Sequence, residues 1–291
     1  MEQILYIVIR NLSIFRKKRK NLFLCFVAIF IVYGIYVIFL KDFMIQSVSS
    51  SGLETSSVHE FTDRLMLSGL LVVVNTTACF GIMQLCIQDE EKGIRRDYLI
   101  SPITKTQLLI SYWVTSVLVS FVYTSFAFIG ILFYCYTQYH MILSMRLFII
   151  AILVVFLSSI LNSELLLCLI TFIKDTTTFS TFGNLYGMLA GFLAGTYLPY
   201  SLYPKRLKEI LFYYPPTHLT SFMRQIFLSN YETNLKTPYA NEISNKLYEI
   251  YGIHLFYHNS RCSLKLQFSI LIFSFACMLF LLGCIHRESS K

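Results

Sequence analysis

Gln88-Asp-Glu-Glu-Lys-Gly-Ile-Arg-Arg-Asp-Tyr-Leu-Ile-Ser-Pro-Ile-Thr-Lys-Thr-Gln-Leu-Leu109 decides how this chain folds. It is the one dense charged insert in the first two-thirds of the sequence, and it separates two apolar runs, residues 65–87 and 108–136. Each run reaches the roughly 20 residues that a helix needs to cross the hydrocarbon of a bilayer. Within the insert, acids come first (Asp89, Glu90, Glu91), then Gly93, then Arg95 and Arg96. A short apolar element over residues 98–103 follows, broken by Ser101-Pro102. A segment too short for a domain, with both charge signs and a few apolar side chains, suits a short helix on the membrane surface that docks another protein.

Composition agrees with a membrane reading. The 291 residues are 56% hydrophobic and 14% charged, with a mean hydropathy of +0.62. A soluble domain carries about 25% charged residues, so too few are present here to cover a globular surface in water. The net charge of +8 then reads as cytoplasmic Lys/Arg bias and contact with anionic headgroups. It does not read as nucleic-acid binding, because the aromatic residues lie inside apolar runs and not along a water-exposed basic groove. The 8 cysteines show neither C-x-x-C pairs nor metal-ligand spacing, and they read as small buried hydrophobes.

Taken outward from the insert, the pattern is that of an all-α integral membrane protein with six spans and both termini in the cytoplasm. Residues 1–20 form an amphipathic basic helix in the headgroup plane, ending in the run Arg16-Lys-Lys-Arg-Lys20. The spans are residues 22–40, 65–87, 108–136, 147–173, 179–198 and 264–285. The first is read as a retained span and not a cleaved signal peptide, since its apolar run is long and no small-x-small site follows it. Residues 41–64 read as an external loop and residues 88–107 as the cytoplasmic docking segment.

Polar residues inside the spans are candidates for packing or for a translocation path. Asn75 in the second span and Asn162 in the fourth can bond across helix contacts in lipid, or line a path. Glu164 is the one acid well inside an apolar run, so it should face the bundle interior, a partner or water. Gly183, Gly187, Gly191 and Gly195 recur every fourth residue along the fifth segment, a spacing that lets helices approach closely. That segment stops at Pro199. Pro215, Pro216 and the amphipathic stretch containing Arg224 then suggest that residues 199–263 re-enter the outer leaflet as short helical pieces before a longer polar loop.

Several chemistries are missing from the sequence. There is no G-x-x-x-x-G-K-[ST] phosphate loop, so the chain itself is not expected to bind and hydrolyse ATP in the usual way. There is no nucleophile-base pair and no metal set; His218 near Arg224 reads as loop or interface structure. A membrane-embedded enzyme should bring several ionisable groups to one depth, and Glu164 is nearly alone. An ion-coupled carrier should show paired broken helices in its two halves, and only the second half has an interrupted segment.

Three stretches carry a family resemblance. The first is the acidic, Gly-containing, Ser-Pro-hydrophobe insert at residues 89–109. The second is Gly191-Phe-Leu-Ala-Gly-Thr-Tyr-Leu-Pro199 with Tyr214-Pro-Pro-Thr-His-Leu-Thr-Ser-Phe-Met-Arg224, and the third is the amphipathic helix before the first span. In this order, the chain resembles a permease subunit of the type-2 ABC transporters. The resemblance implies that residues 88–107 hold a coupling helix docking on an ATP-binding subunit, with Glu90, Glu91, Gly93, Arg95, Pro102 and Ile103 as contacts. Tyr98, Leu99 and Ile103 would supply its apolar anchor. It further implies two copies of that ATP-binding subunit, which bind the ATP and Mg that this chain does not. A second permease subunit, identical or a paralogue, would complete the assembly in a bacterial cell membrane. The implied cargo is hydrophobic or amphipathic, such as a drug, a toxin or a peptide, with polysaccharide or lipid-linked glycan export as the alternative.

Overall fold

The structure, a computed structural model, describes residues 2–17, 31, 34, 38, 41–42, 45–46, 55–94, 97–98, 103–173, 175–229, 231, 247–257 and 260–288. Eight helices of eight residues or more occur among them. They are α1 (Glu2–Lys17), α2 (Thr55–Glu91), α3 (Lys105–Tyr139), α4 (Met145–Ile170), α5 (Thr176–Leu193), α6 (Lys205–Phe212), α7 (Pro215–Leu228) and α8 (Leu264–Glu288). One antiparallel ribbon, β1 (Phe256–Tyr257) with β2 (Ser260–Arg261), precedes α8. Three helices are long and apolar enough to cross a membrane, over Ser57–Glu91, Lys105–Tyr139 and Met145–Ile170. α8 is apolar over Leu264–Cys277, and α5 has 18 residues with Thr176, Thr177, Thr178 and Ser180 in its first turns. The expected first span, residues 22–40, falls almost wholly outside the described residues.

α2 is the axis of the fold, packed by α3, α4, α5 and α7. Its burial runs all the way round, whereas α3 and α4 bury one face each. On α3 the exposed residues Leu118, Val122, Phe126, Ile129 and Phe133 fall at helical spacing, and on α4 so do Met145, Ile149, Leu153 and Phe156. Such outward apolar stripes on helices flanking a buried one are what hydrocarbon covers in a membrane protein.

Local chemistry sets the helix ends. Thr104 opens α3 with a reciprocal capping box to Gln107, and His140 closes it in the left-handed conformation with φ 50°. Asp175 caps α5 by accepting the Thr178 N–H at 2.7 Å, which also holds its carboxyl below the usual carboxylate range.

Three boundaries differ from the sequence reading. Residues 55–64 are the first turns of α2 and not part of an external loop. Their charges are neutralised inside the fold: Arg64 pairs with Glu60 one turn back, and Asp63 accepts from Lys41 at 3.1 Å, Tyr134 at 3.0 Å and Tyr139 at 2.6 Å. The fifth segment stops at Leu193, well before Pro199, because Gly195 takes φ 70° and the Thr196 N–H turns back to the Gly191 carbonyl at 2.7 Å. A Cβ at Gly191 would overlap the Tyr197 ring that folds over it. Of the expected glycine stripe, Gly183 faces Phe80 of α2, Gly187 has nothing within 4 Å of a Cβ position, and Gly195 lies beyond the helix. Finally, Pro215 and Pro216 start α7 instead of breaking a helix, since the first turn has no N–H partner to lose.

Candidate functional site

At the C-terminal end of α2 the three consecutive acids part company. Successive residues on a helix are turned by about 100°, so Asp89 continues the buried line of Ile82 and Cys86, while Glu90 and Glu91 point outward. Asp89 is 4% exposed. Arg10 of α1 donates to both of its carboxylate oxygens, one at 3.3 Å and the other closer, and the Tyr112 hydroxyl of α3 donates to it at 2.5 Å. A half-buried guanidinium is opposed by its own desolvation, but the hydrogen bond and charge of Asp89 outweigh this and raise the Arg10 pKa.

α1 reaches this point because its inner face packs along α3. The Ser111 hydroxyl donates to the Ile4 carbonyl at 3.5 Å, and farther along, the Phe15 ring meets Tyr123 edge-on at 6.2 Å. Ile7, Val8, Asn11 and Phe15 are buried there. The sequence reading overlooked Asp89, Arg10 and Tyr112 as a unit. The signal was available in the spacing of Ile82, Cys86 and Asp89, which puts the acid on the apolar face.

The expected docking residues separate into three groups. Glu90 and Glu91 are exposed at the end of α2, and Gly93 with φ 75° turns the chain out of that helix. The Glu91 carboxylate accepts the Thr176 hydroxyl, joining this end to the start of α5. Tyr98 and Ile103 are turned inward, packed against the cluster that includes Ile7, Met83, Leu108 and Tyr112. The Arg10 guanidinium lies 5.7 Å from the Tyr98 ring centre. Arg95, Leu99 and Pro102 lie outside the described residues.

Within the span region, Asn75 and Asn162 belong to one polar seam. The Asn75 amide donates to Thr124 at 3.0 Å and Ser159 at 2.8 Å, and the Asn162 amide donates to the Asn75 oxygen at 2.8 Å and to Ser158 at 3.3 Å. Ser163 extends the seam, 2.8 Å from Ser116 and 3.3 Å from Cys79. All of these join α2, α3 and α4 inside the core. Glu164 is 1% exposed, yet neither of its carboxylate oxygens has a hydrogen-bond partner.

On the far side, Arg224 of α7 is buried and donates to the carbonyls of Tyr251 at 2.7 Å and Gly195 at 2.6 Å. It clamps the end of α5 to the segment before the ribbon. Pro199 is buried at the start of a single 3-10 turn, Tyr200–Leu202. His218 is placed by its Nε2, 2.5 Å from the Phe212 carbonyl. Among the described residues no group of three His, Cys, Asp or Glu is placed to hold a metal ion.

The arrangement is a mechanical one. A surface-facing acidic helix end is braced from behind by an ion pair, a tyrosine and a second helix, and it is continuous with the central helix of the bundle. Residues 43–286 match the family model described as ABC-2 family transporter protein. A comparison with curated protein sequences gives no match.

Proposed function

Because the chain belongs to the ABC-2 transporter family, whose members are membrane permease components that work with an ABC ATP-binding subunit, we propose that it is the translocating subunit of an ATP-driven exporter, powered through the cytoplasmic end of α2. The observation that carries this reading is the split of the acids at that end. Glu90 and Glu91 face outward, while Asp89 locks the same turn to α1 and α3. A push on the exposed side is therefore delivered to α2, and α2 touches α3, α4, α5 and α7.

In this reading two ATP-binding subunits hold the ATP and Mg, and they rock a pair of permease chains, identical or paralogous. The chain crosses a bacterial cell membrane six times with both termini in the cytoplasm. α7 re-enters from the outside, as supported by its burial on nearly every side against α2, α4 and α8. The cargo is hydrophobic or amphipathic. Glycan export by the same architecture stands as the alternative cargo, and an ion-coupled carrier is favoured only by the unpartnered carboxyl of Glu164.

The experiment is co-purification of the ATP-binding subunit with the full chain after charge reversal at Glu91 together with Arg95. Loss of the partner with normal membrane insertion supports the coupling role. Unchanged co-purification and unchanged export remove both residues from it.

A further inference from the structure

The docking surface needs an apolar anchor, and the structure turns the expected ones inward. Tyr98 and Ile103 pack against the chain's own core. An exposed aromatic beside the acidic end of α2 comes instead from the turn between α4 and α5. Phe172 is 77% exposed, while its neighbour Ile173 packs inward against the same cluster as Tyr98. This turn lies beside the coupling segment because the Thr176 hydroxyl donates to Glu91. Phe172 stands four residues from Thr176, so the chain cannot carry it more than about 14 Å away. The backbone there is held by the Thr171 N–H to Cys168 at 3.3 Å and the Phe172 N–H to Leu169 at 3.1 Å, which presents the ring on a fixed turn.

Resting on the permease reading, we infer that Phe172 is the apolar anchor of a composite docking surface for the ATP-binding subunit, made of the second cytoplasmic turn together with Glu90 and Glu91. The partner chemistry is a cleft with an apolar pocket and a basic rim. A buried aromatic at the centre with charged groups around it is the usual layout of a binding hot spot. Among the described residues at this end, Glu90, Glu91 and Asp175 present exposed carboxylates, which suit a basic rim on the partner.

The test replaces Phe172 with the photoreactive amino acid p-benzoylphenylalanine in the full chain, co-expressed with its ATP-binding subunit. Phe133, 68% exposed on the outward stripe of α3, carries the same probe as a control. Irradiation is expected to give a cross-linked band containing the ATP-binding subunit from position 172 and none from position 133. Phe172→Ala should cut the co-purifying subunit at least fivefold at unchanged yield of folded permease, with Phe172→Leu intermediate. A cross-link to lipid alone, no cross-link, or unchanged co-purification of Phe172→Ala overturns the anchor while leaving the permease reading intact. Failure of the unsubstituted chain to retain any ATP-binding subunit overturns both.

Discussion

Asp89 and Arg10, 79 residues apart in sequence, form a two-pronged ion pair that fastens α1 to the last turn of α2. The pair lies at the C-terminal end of α2, and Tyr112 completes it from α3. Three helices thus meet on one carboxylate. Any displacement of that end is shared among them instead of being lost in a flexible joint.

Asp89→Asn should therefore weaken the fold as well as the coupling. It leaves the guanidinium of Arg10 without its counter-charge in a half-buried place, at a cost of about 2–4 kcal/mol, toward the lower end since Arg10 is partly solvated. Glu90→Gln and Glu91→Gln should change protomer stability by less than about 0.5 kcal/mol, as exposed sites do. Thermal unfolding of the purified chain checks the contrast. Equal midpoints for Asp89→Asn and Glu90→Gln would show that the pair contributes nothing. With Asp89 in place, Arg10→Lys should keep only part of the pair's contribution, because an ammonium lacks the planar fork that meets both oxygens.

The glycine positions give a second contrast. Gly195→Ala puts a side chain at φ 70°, which costs roughly 1–2 kcal/mol. Space is not the problem, for the nearest atom to its Cβ position is 3.8 Å away. Gly187→Ala has room and helical geometry, and it should gain up to about 1 kcal/mol in the isolated protomer. Limited proteolysis of the α5–α7 connection reads both: faster cleavage for Gly195→Ala and no acceleration for Gly187→Ala. The reverse order would mean that the whole glycine series packs as one helix face.

Much of this architecture was legible because the bilayer imposes long apolar runs. Residues 65–87, 108–136 and 147–173 coincide with α2, α3 and α4 within a few residues at most ends. The large exception is the start of α2, where Asp63 and Arg64 looked solvent-bound. The Glu60–Arg64 pair has i,i+4 spacing but falls in a stretch that reads as a loop. Asp63 finds its partners, Lys41, Tyr134 and Tyr139, elsewhere in the chain, where spacing cannot reveal them. The same limit hid the Arg10–Asp89 contact. Over residues 88–107 the facing of the side chains was not legible: periodicity is short there, and tertiary packing decided that Tyr98 and Ile103 go inward.

The seam through α2 and α4 makes a quantitative prediction. Asn75→Leu removes two donated bonds and the acceptor for Asn162, and Asn162→Leu removes two donated bonds. Hydrogen bonds between spans are worth about 0.6 kcal/mol on average and up to about 1.7. The double variant should lose less than the sum of the singles, by a coupling of about 0.5–1.5 kcal/mol, since one bond is shared. Strict additivity in detergent unfolding would mean that the two amides do not meet.

Glu164 makes the sharpest case because each polar neighbour on α4 makes at least one hydrogen bond and neither Glu164 oxygen makes any. Ser158, Ser159, Asn162 and Ser163 each have a partner on α2, α3 or their own helix. Glu164 is buried with both oxygens unpaired, and an unmatched buried polar group costs about 1–3 kcal/mol. Glu164→Leu should therefore raise the unfolding midpoint of the isolated chain, one of the few substitutions here expected to do so. Glu164→Gln should leave export driven by the ATP-binding subunit intact, because among the described residues no group of three His, Cys, Asp or Glu gathers there to pass a proton onward. Destabilisation by Glu164→Leu in the assembled transporter but not in the isolated chain would show that a second permease or the cargo supplies the missing partner. Loss of export in a stable Glu164→Gln variant would instead make the carboxyl part of the transport cycle.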